Sequence, residues 1–244
     1  MKSETSSRGF LRGALLGLAL VGVLWLLMLA GQLGRPVPST HWVEKAYEYK
    51  LAQASTIEQP KVLVVAGSAE VFGVDSKAVA EDLGRPVVNL GVNAGILSPY
   101  IQSYARQAIK PGDWVVLPVE YPMFHGRYSI NMSFIDYWWG HPGFRRLDVN
   151  LVQLAQVFWL TPVLRAVDGY RGLPSGFKVS GLYGPQNLDQ YGDQINTQSS
   201  QQEVWMHELV ERSGVERYGA QAHAWNANWA SWKAPADEVT AAGG

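Results

Sequence analysis

Lys61-Val62-Leu63-Val64-Val65-Ala66-Gly67-Ser68 opens the stretch of sequence that decides the fold. Two further apolar runs follow it, Pro86-Val87-Val88-Asn89-Leu90-Gly91-Val92-Asn93 and Asp113-Trp114-Val115-Val116-Leu117-Pro118-Val119. Continuous apolar runs are typical of strands that are buried on both faces, as in parallel sheets. The intervening segments 75–84 and 98–110 carry the start and stop signals of helices. This alternation predicts parallel βαβ units and a three-layer α/β fold.

An uncharged apolar run from Gly13 to Leu33 precedes this domain. A transmembrane helix needs roughly 20 such residues. Lys2, Arg8 and Arg12 come before the run, so the basic excess predicts that residues 1–12 are cytoplasmic and the remainder lies on the outer side of a membrane. The alternative is a cleaved signal peptide, whose apolar region is usually about 7–15 residues long. The greater length here favours an uncleaved anchor.

The rest of the chain divides at the changes in its composition. Pro and Gly at the start of segment 34–60 predict a linker, which a short helix follows. Residues 61–244 form the α/β domain, within which the aromatic segment 122–143 is predicted to be loop. The stretch 148–165 is uncharged between its ends, which predicts a buried or interfacial helix, with a second membrane pass as the alternative.

The composition excludes several classes of function. A formal net charge of -1 without a basic stripe argues against a nucleic-acid partner. The absence of cysteine excludes disulfides, thiolate zinc sites and cysteine nucleophiles. Asp189 and Asp193 lie in a loop-like segment, but calcium loops use more closely spaced oxygen ligands. We therefore predict neither a metal site nor a cofactor.

Three short motifs in the α/β region carry a family resemblance. They are Ala66-Gly67-Ser68, Asn89-Leu90-Gly91 and Gly112-Asp113-Trp114-Val115-Val116-Leu117, in this order. Together they resemble the SGNH (GDSL-like) hydrolase superfamily, and more closely its membrane-anchored bacterial members of uncharacterised or polysaccharide-acetylation type. The resemblance implies a flavodoxin-like sheet with Ser68 as the nucleophile. It also implies that the backbone N–H groups of Ser68 and Gly91 hold the oxyanion.

The chain departs from the family pattern in two places. The family places an asparagine after the third strand, where this chain has Glu120. Asn93 is a candidate replacement as an oxyanion donor, and Glu120 itself is a candidate base or substrate contact. The family's general base comes from an Asp-x-x-His motif, and none of the five histidines here has that spacing. His125 could face Ser68 across the sheet edge and is a second candidate base, so the residues leave the identity of the base open.

These residues lead to two hypotheses of different classes. The first is an ester hydrolase or O-acyl transfer domain in a bacterial plasma membrane, which acts on envelope polysaccharide or related esters. Its expected partners are the bilayer, through residues 13–33, and envelope-assembly proteins. The second is a non-catalytic binding or assembly module, or an inactive domain truncated at its C-terminus, in which Ser68 only caps a helix. Three strands form a small sheet, so an incomplete domain stays open as an alternative.

Overall fold

The computed structural model of the chain describes residues 3–118, 130–143, 147, 149–195, 225–241 and 243. The α-helices of this part are α1 (Ser3–Ala30), α2 (Pro38–Thr56), α3 (Ala69–Gly73), α4 (Ser76–Leu83), α5 (Leu97–Ala108), α6 (Met132–Gly140), α7 (Leu151–Leu160), α8 (Val163–Arg171) and α9 (Trp225–Ala241). Short 3-10 helices at Ala94–Ile96 and Pro185–Asn187 complete the helical elements.

Three parallel strands form the described sheet. They are β1 (Val62–Val64), β2 (Val87–Asn89) and β3 (Trp114–Val116), and β1 lies at the centre with β2 and β3 beside it. The register pairs the first residues of the three strands with one another. The prediction of an α/β fold with parallel strands is therefore confirmed, although each strand is shorter than its apolar run.

Every residue of β1 and β2 is buried, and alternate residues of β1 belong to two different hydrophobic clusters, which explains the unbroken apolar character of these strands. On one face, Val62 and Val64 pack with Val74, which precedes α4, and with Val79 and Ala80 of α4. The other face, with Leu63, belongs to the main core, which includes buried residues of α2 and α5. Strand β3 is an edge strand within the described sheet, and Trp114 is about half exposed there.

The N-terminal helix α1 contains a 24-residue segment, Ser7–Ala30, and the most apolar 18 residues of this segment have a mean hydropathy of 2.4. By length and composition this segment could cross a membrane, and a signal sequence would meet the same criterion. Between α1 and α2 only residues 31–37 are non-helical, and both Gln32 and Val37 are buried there. The connection between α1 and α2 thus packs against the domain.

Local capping explains where the prediction of helices succeeded and failed. Asp75 accepts a hydrogen bond from the Ala78 N–H at 3.0 Å and begins α4, as predicted. The predicted aromatic loop was wrong for α6, which Asn131 caps by accepting from Phe134 N–H at 2.8 Å. Burial of the α6 aromatic rings outweighs their modest helix propensity. The single helix predicted over 148–165 is divided into α7 and α8 by Pro162.

Candidate functional site

The turns that carry Ser68 and Gly91 lie side by side at the carboxyl edge of the sheet. Ser68 follows β1 and precedes α3, with backbone angles of φ -86° and ψ -20°. Its side chain is half-buried and makes no hydrogen bond with the described part of the chain. A Cβ atom built on Gly91 would lie 2.7 Å from the carbonyl oxygen of Gly67, so only glycine fits this close approach of the two turns.

The two candidate oxyanion donors beside Ser68 make hydrogen bonds inside the protein. Gly91 N–H donates to Oδ1 of Asn89 at 2.9 Å. Asn93 begins the 3-10 helix and accepts from Gly95 N–H through its Oδ1 at 2.6 Å. To hold an oxyanion, the Gly91 N–H would have to exchange its present acceptor for the substrate oxygen.

The candidate bases Glu120 and His125 lie outside the described residues. The two described histidines both contact the Glu44 carboxylate. Nδ1 of His41 lies 2.8 Å from Oε2, and Nε2 of His141 lies 3.0 Å from Oε1. The hydrogen bond from His141 lowers the pKa of Glu44, and the nearby charges of both imidazoles act in the same direction. Neither of these described imidazoles is hydrogen-bonded to Ser68.

A buried set of polar groups lies at the end of β2, and we call it the strand-end network (Lys50, Ser76, Asn89, Gly91 and Asp193). The Asp193 carboxylate is its centre. It accepts from the N–H and the Oγ of Ser76, each at 2.7 Å, and from Nδ2 of Asn89 at 2.8 Å. Each of these partners is itself buried, so the carboxylate depends on them for the interactions that water would otherwise supply.

The loop of residues 188–195 brings Asp193 into this network. Asn89 N–H donates to the Tyr191 carbonyl oxygen at 2.8 Å, so the loop continues the hydrogen bonding at the end of β2. Gly192 has φ +88°, and a Cβ there would lie 2.5 Å from the Asn89 carbonyl oxygen. Asp189 shapes the turn by accepting from the N–H groups of Tyr191 and Asp193, each at 2.9 Å. The loop therefore closes the β2 side of the sheet edge.

Lys50 is the titratable residue of the strand-end network that the sequence interpretation missed. Its ammonium group donates to the carbonyl oxygen of Gly91, and the whole side chain is buried. Burial lowers the pKa of Lys50 to about 7, against the opposing effect of Asp193 and Asp189. The signal was its position on α2, because Ala46, Tyr47 and Lys50 share the buried helix face.

Two cavities accompany these features in the described structure. The one beside Lys50 has a volume of about 10 Å³, which is room for about one water molecule. The other, about 370 Å³, lies between α5, β3 and α9 and is mainly apolar, with Arg106 and Glu238 at its polar part. Ser68, Gly91 and Asn93 are absent from the described lining of both cavities.

No family model, curated protein or solved structure matches the chain. The resemblance to SGNH hydrolases therefore stays a prediction that rests on three short motifs. The geometry itself provides a half-buried serine hydroxyl, two neighbouring turns in close contact, and a buried amine whose pKa lies near neutrality. Such perturbed groups at a sheet edge mark a candidate site, although structural networks perturb pKa values as well.

Proposed function

We propose that the chain is a membrane-anchored, flavodoxin-like domain in which Ser68 attacks acyl esters. The supporting observation is the position of Ser68 at the carboxyl end of the central strand, with a half-buried hydroxyl and Gly91 in the adjoining turn. Ligands of open parallel sheets bind at this edge. Helix α1 crosses a bacterial plasma membrane with its N-terminus in the cytoplasm, and the substrates are O-acyl groups of envelope polysaccharide or related esters.

The chemistry follows the general pattern of serine acyl transfer. Oγ of Ser68 forms a bond to the acyl carbon while a base takes the hydroxyl proton. The tetrahedral oxyanion accepts from N–H groups at the turns after β1 and β2, and loss of one such donor typically lowers kcat about 100-fold or more. The alcohol then leaves with a proton. Water or an acceptor hydroxyl next takes the acyl group from Ser68, which gives hydrolysis or transfer. Glu120 and His125 are the candidates for the base.

A fluorophosphonate probe tests the nucleophile directly on the detergent-solubilised full chain. We expect covalent labelling of the parent and loss of labelling in Ser68→Ala, because the probe bonds to an activated serine oxygen. Ser98→Ala is the matched control, since Ser98 is also half-buried but begins α5. Turnover of a chromogenic acetyl ester should fall at least about 100-fold in Ser68→Ala only. Equal turnover by Ser68→Ala and the parent would remove Ser68 from the mechanism.

A second candidate function is a non-catalytic, membrane-anchored binding or assembly module. The observation that favours it is the internal hydrogen bonding at the sheet edge, where the Gly91 N–H already donates to Oδ1 of Asn89. This candidate predicts that a folded parent chain, checked by its circular dichroism, takes up no fluorophosphonate at all. Specific labelling of Ser68 would count against it.

A further inference from the structure

An apolar surface extends over α7 and α8, and none of the described residues covers it. Its residues are the exposed aliphatic and tryptophan side chains Leu151, Val152, Trp159, Leu160, Val163, Leu164 and Val167, which we call the α7–α8 surface. Trp159 is 87% exposed, more than any other large hydrophobic residue of the described chain. Exposed apolar patches on this scale mark sites where a protein meets a partner or a membrane.

The α7–α8 surface is joined to the C-terminal end of α1 by specific contacts. Tyr170 at the end of α8 donates through its hydroxyl to the carbonyl oxygen of Met28 at 3.2 Å. Arg165, which is buried, donates to Oε1 of Gln32 at 3.2 Å and to the carbonyl oxygen of Arg35 at 2.9 Å. The guanidinium of Arg35 also lies 4.9 Å from the centre of the Tyr170 ring. These contacts fix α8 against residues 28–35.

The length of α1 places those contacts at the boundary of a bilayer. About 20 helical residues cross the hydrocarbon core. Counted from Gly9, directly after Arg8, they end at Met28; counted from Gly13, after Arg12, they end at Gln32. Tyr170 contacts Met28 and Arg165 contacts Gln32, so α8 lies at the depth where the span leaves the hydrocarbon.

The chemistry of the surface also fits this depth. Residues 149–164 carry no charge, and Val152, Ala155 and Trp159 are all exposed on the outward face of α7. The exposed face of α7 is apolar apart from Gln156, and tryptophan and tyrosine are enriched at membrane interfaces. The apolar surface ends at the exposed ion pair of Asp168 and Arg171, which suits the headgroup region.

We propose that the α7–α8 surface lies in the leaflet on the domain's side of the membrane that α1 crosses. The occupant of this surface is lipid, because the Met28 and Gln32 contacts hold it beside the span at the leaflet boundary. Burial of Trp159 and the neighbouring aliphatic side chains in lipid removes their apolar area from water, at roughly 25 cal/mol per Å². The inference requires α1 to span a bilayer and is independent of any role of Ser68.

Single-cysteine labelling can test this, because the full chain contains no cysteine. Trp159→Cys and Leu164→Cys are labelled with an NBD fluorophore and reconstituted at one chain per lipid nanodisc. Leu83→Cys is the matched control on α4, being an exposed leucine away from this surface, and Leu18→Cys marks the span. We expect doxyl-labelled phosphatidylcholine to quench positions 159, 164 and 18 at least about twofold more than position 83, and aqueous iodide to show the reverse order.

The quenching patterns separate the alternatives. Quenching by doxyl lipid at position 18 but not at positions 159 and 164 would overturn the inference and leave the anchor in place. Shielding of positions 159 and 164 from both quenchers would overturn it in favour of a protein partner. Shielding that appears only at two chains per nanodisc would identify that partner as a second copy. Absence of lipid quenching at position 18 would overturn both the anchor and the inference.

Discussion

The strand-end network and the α7–α8 surface differ in how their groups are placed relative to solvent: polar groups are buried in the first, and apolar groups are exposed in the second. At the sheet edge, buried polar groups obtain their partners from the chain itself, and Asp193 alone accepts three hydrogen bonds. On α7 and α8, apolar groups such as Trp159 stay exposed, and none of the described residues covers them. The buried polar groups of the network thus have partners within the described chain, whereas the cover proposed for the α7–α8 surface is lipid. Substitutions should therefore be costly in the network and nearly neutral on the surface.

Among the substitutions considered, we expect the largest loss of stability at Asp193, the centre of the strand-end network. Asp193→Ala removes the acceptor of three buried hydrogen bonds and leaves Ser76 and Asn89 unsatisfied. We expect it to lower the free energy of unfolding by about 3–5 kcal/mol, as measured by urea unfolding of the full chain in detergent. Asp237→Ala, which removes only an exposed pair with Lys233, should change it by less than about 0.5 kcal/mol. Equal effects of the two substitutions would contradict the special role of the network.

The pH dependence of stability tests the burial of Lys50. Its folded pKa is lowered to about 7 from 10.5, so the unfolded chain binds more protons between these two values and stability rises with pH there. From pH 7 to 9 the Lys50 contribution should raise the free energy of unfolding by about 2 kcal/mol. Lys50→Met should remove this rise, and Lys45→Met, on the more exposed face of α2, should keep it. An identical pH profile in parent and Lys50→Met would exclude a neutral buried amine.

A smaller steric effect should follow from filling the contact between the two turns. In Gly91→Ala the new methyl group meets the Gly67 carbonyl oxygen, so the turns must separate. We expect a loss of about 1–2 kcal/mol in the same unfolding measurement. Gly73→Ala is the control, because a Cβ there meets no atom within 4 Å. If Gly73→Ala cost as much, the close approach at Gly91 would not be the cause.

We expect the smallest changes in stability from substitutions on the α7–α8 surface. Trp159→Ser and Leu164→Ser should change the free energy of unfolding in detergent by no more than about 0.5 kcal/mol, because neither side chain packs in the core. Val157→Ala, on the buried side of α7, should cost more than about 1 kcal/mol. Circular dichroism measures the unfolding of all three variants and of the parent chain. A loss at Trp159 as large as that at Val157 would show that this surface is covered by the protein.

The contrast between the two regions also explains what the sequence could predict. The strands, the Asp75 cap and the turn at Gly84 follow from local patterns, and each is present. The partnership of Asn89 with Asp193 joins residues 104 positions apart, and no local pattern specifies it. Lys50 was within reach, because its spacing from Ala46 and Tyr47 already placed it on the apolar face of α2.

The prediction of α6 failed for a related reason. Its aromatic residues have no strong helix preference, and the helix forms because Trp138 and Trp139 are buried and Asn131 caps its first turn. The cap was readable in the sequence, whereas the tertiary burial was not. For the site, the order of strands and turns in the sequence places the Ser68 and Gly91 turns at one edge of the sheet, while the roles of Ser68, Gly91, Asn93, Glu120 and His125 stay predictions.

The packed connection between α1 and α2 has a consequence for where the domain can work. A flexible linker of ten residues would let a domain wander over roughly 15–20 Å. Here the burial of Gln32 and Val37 removes that freedom. With α1 in a bilayer, the edge that carries Ser68 would stand at a constant height and in a constant orientation. If Ser68 attacks acyl esters as proposed, its reach is limited by the dimensions of the domain, and a substrate has to come to that height.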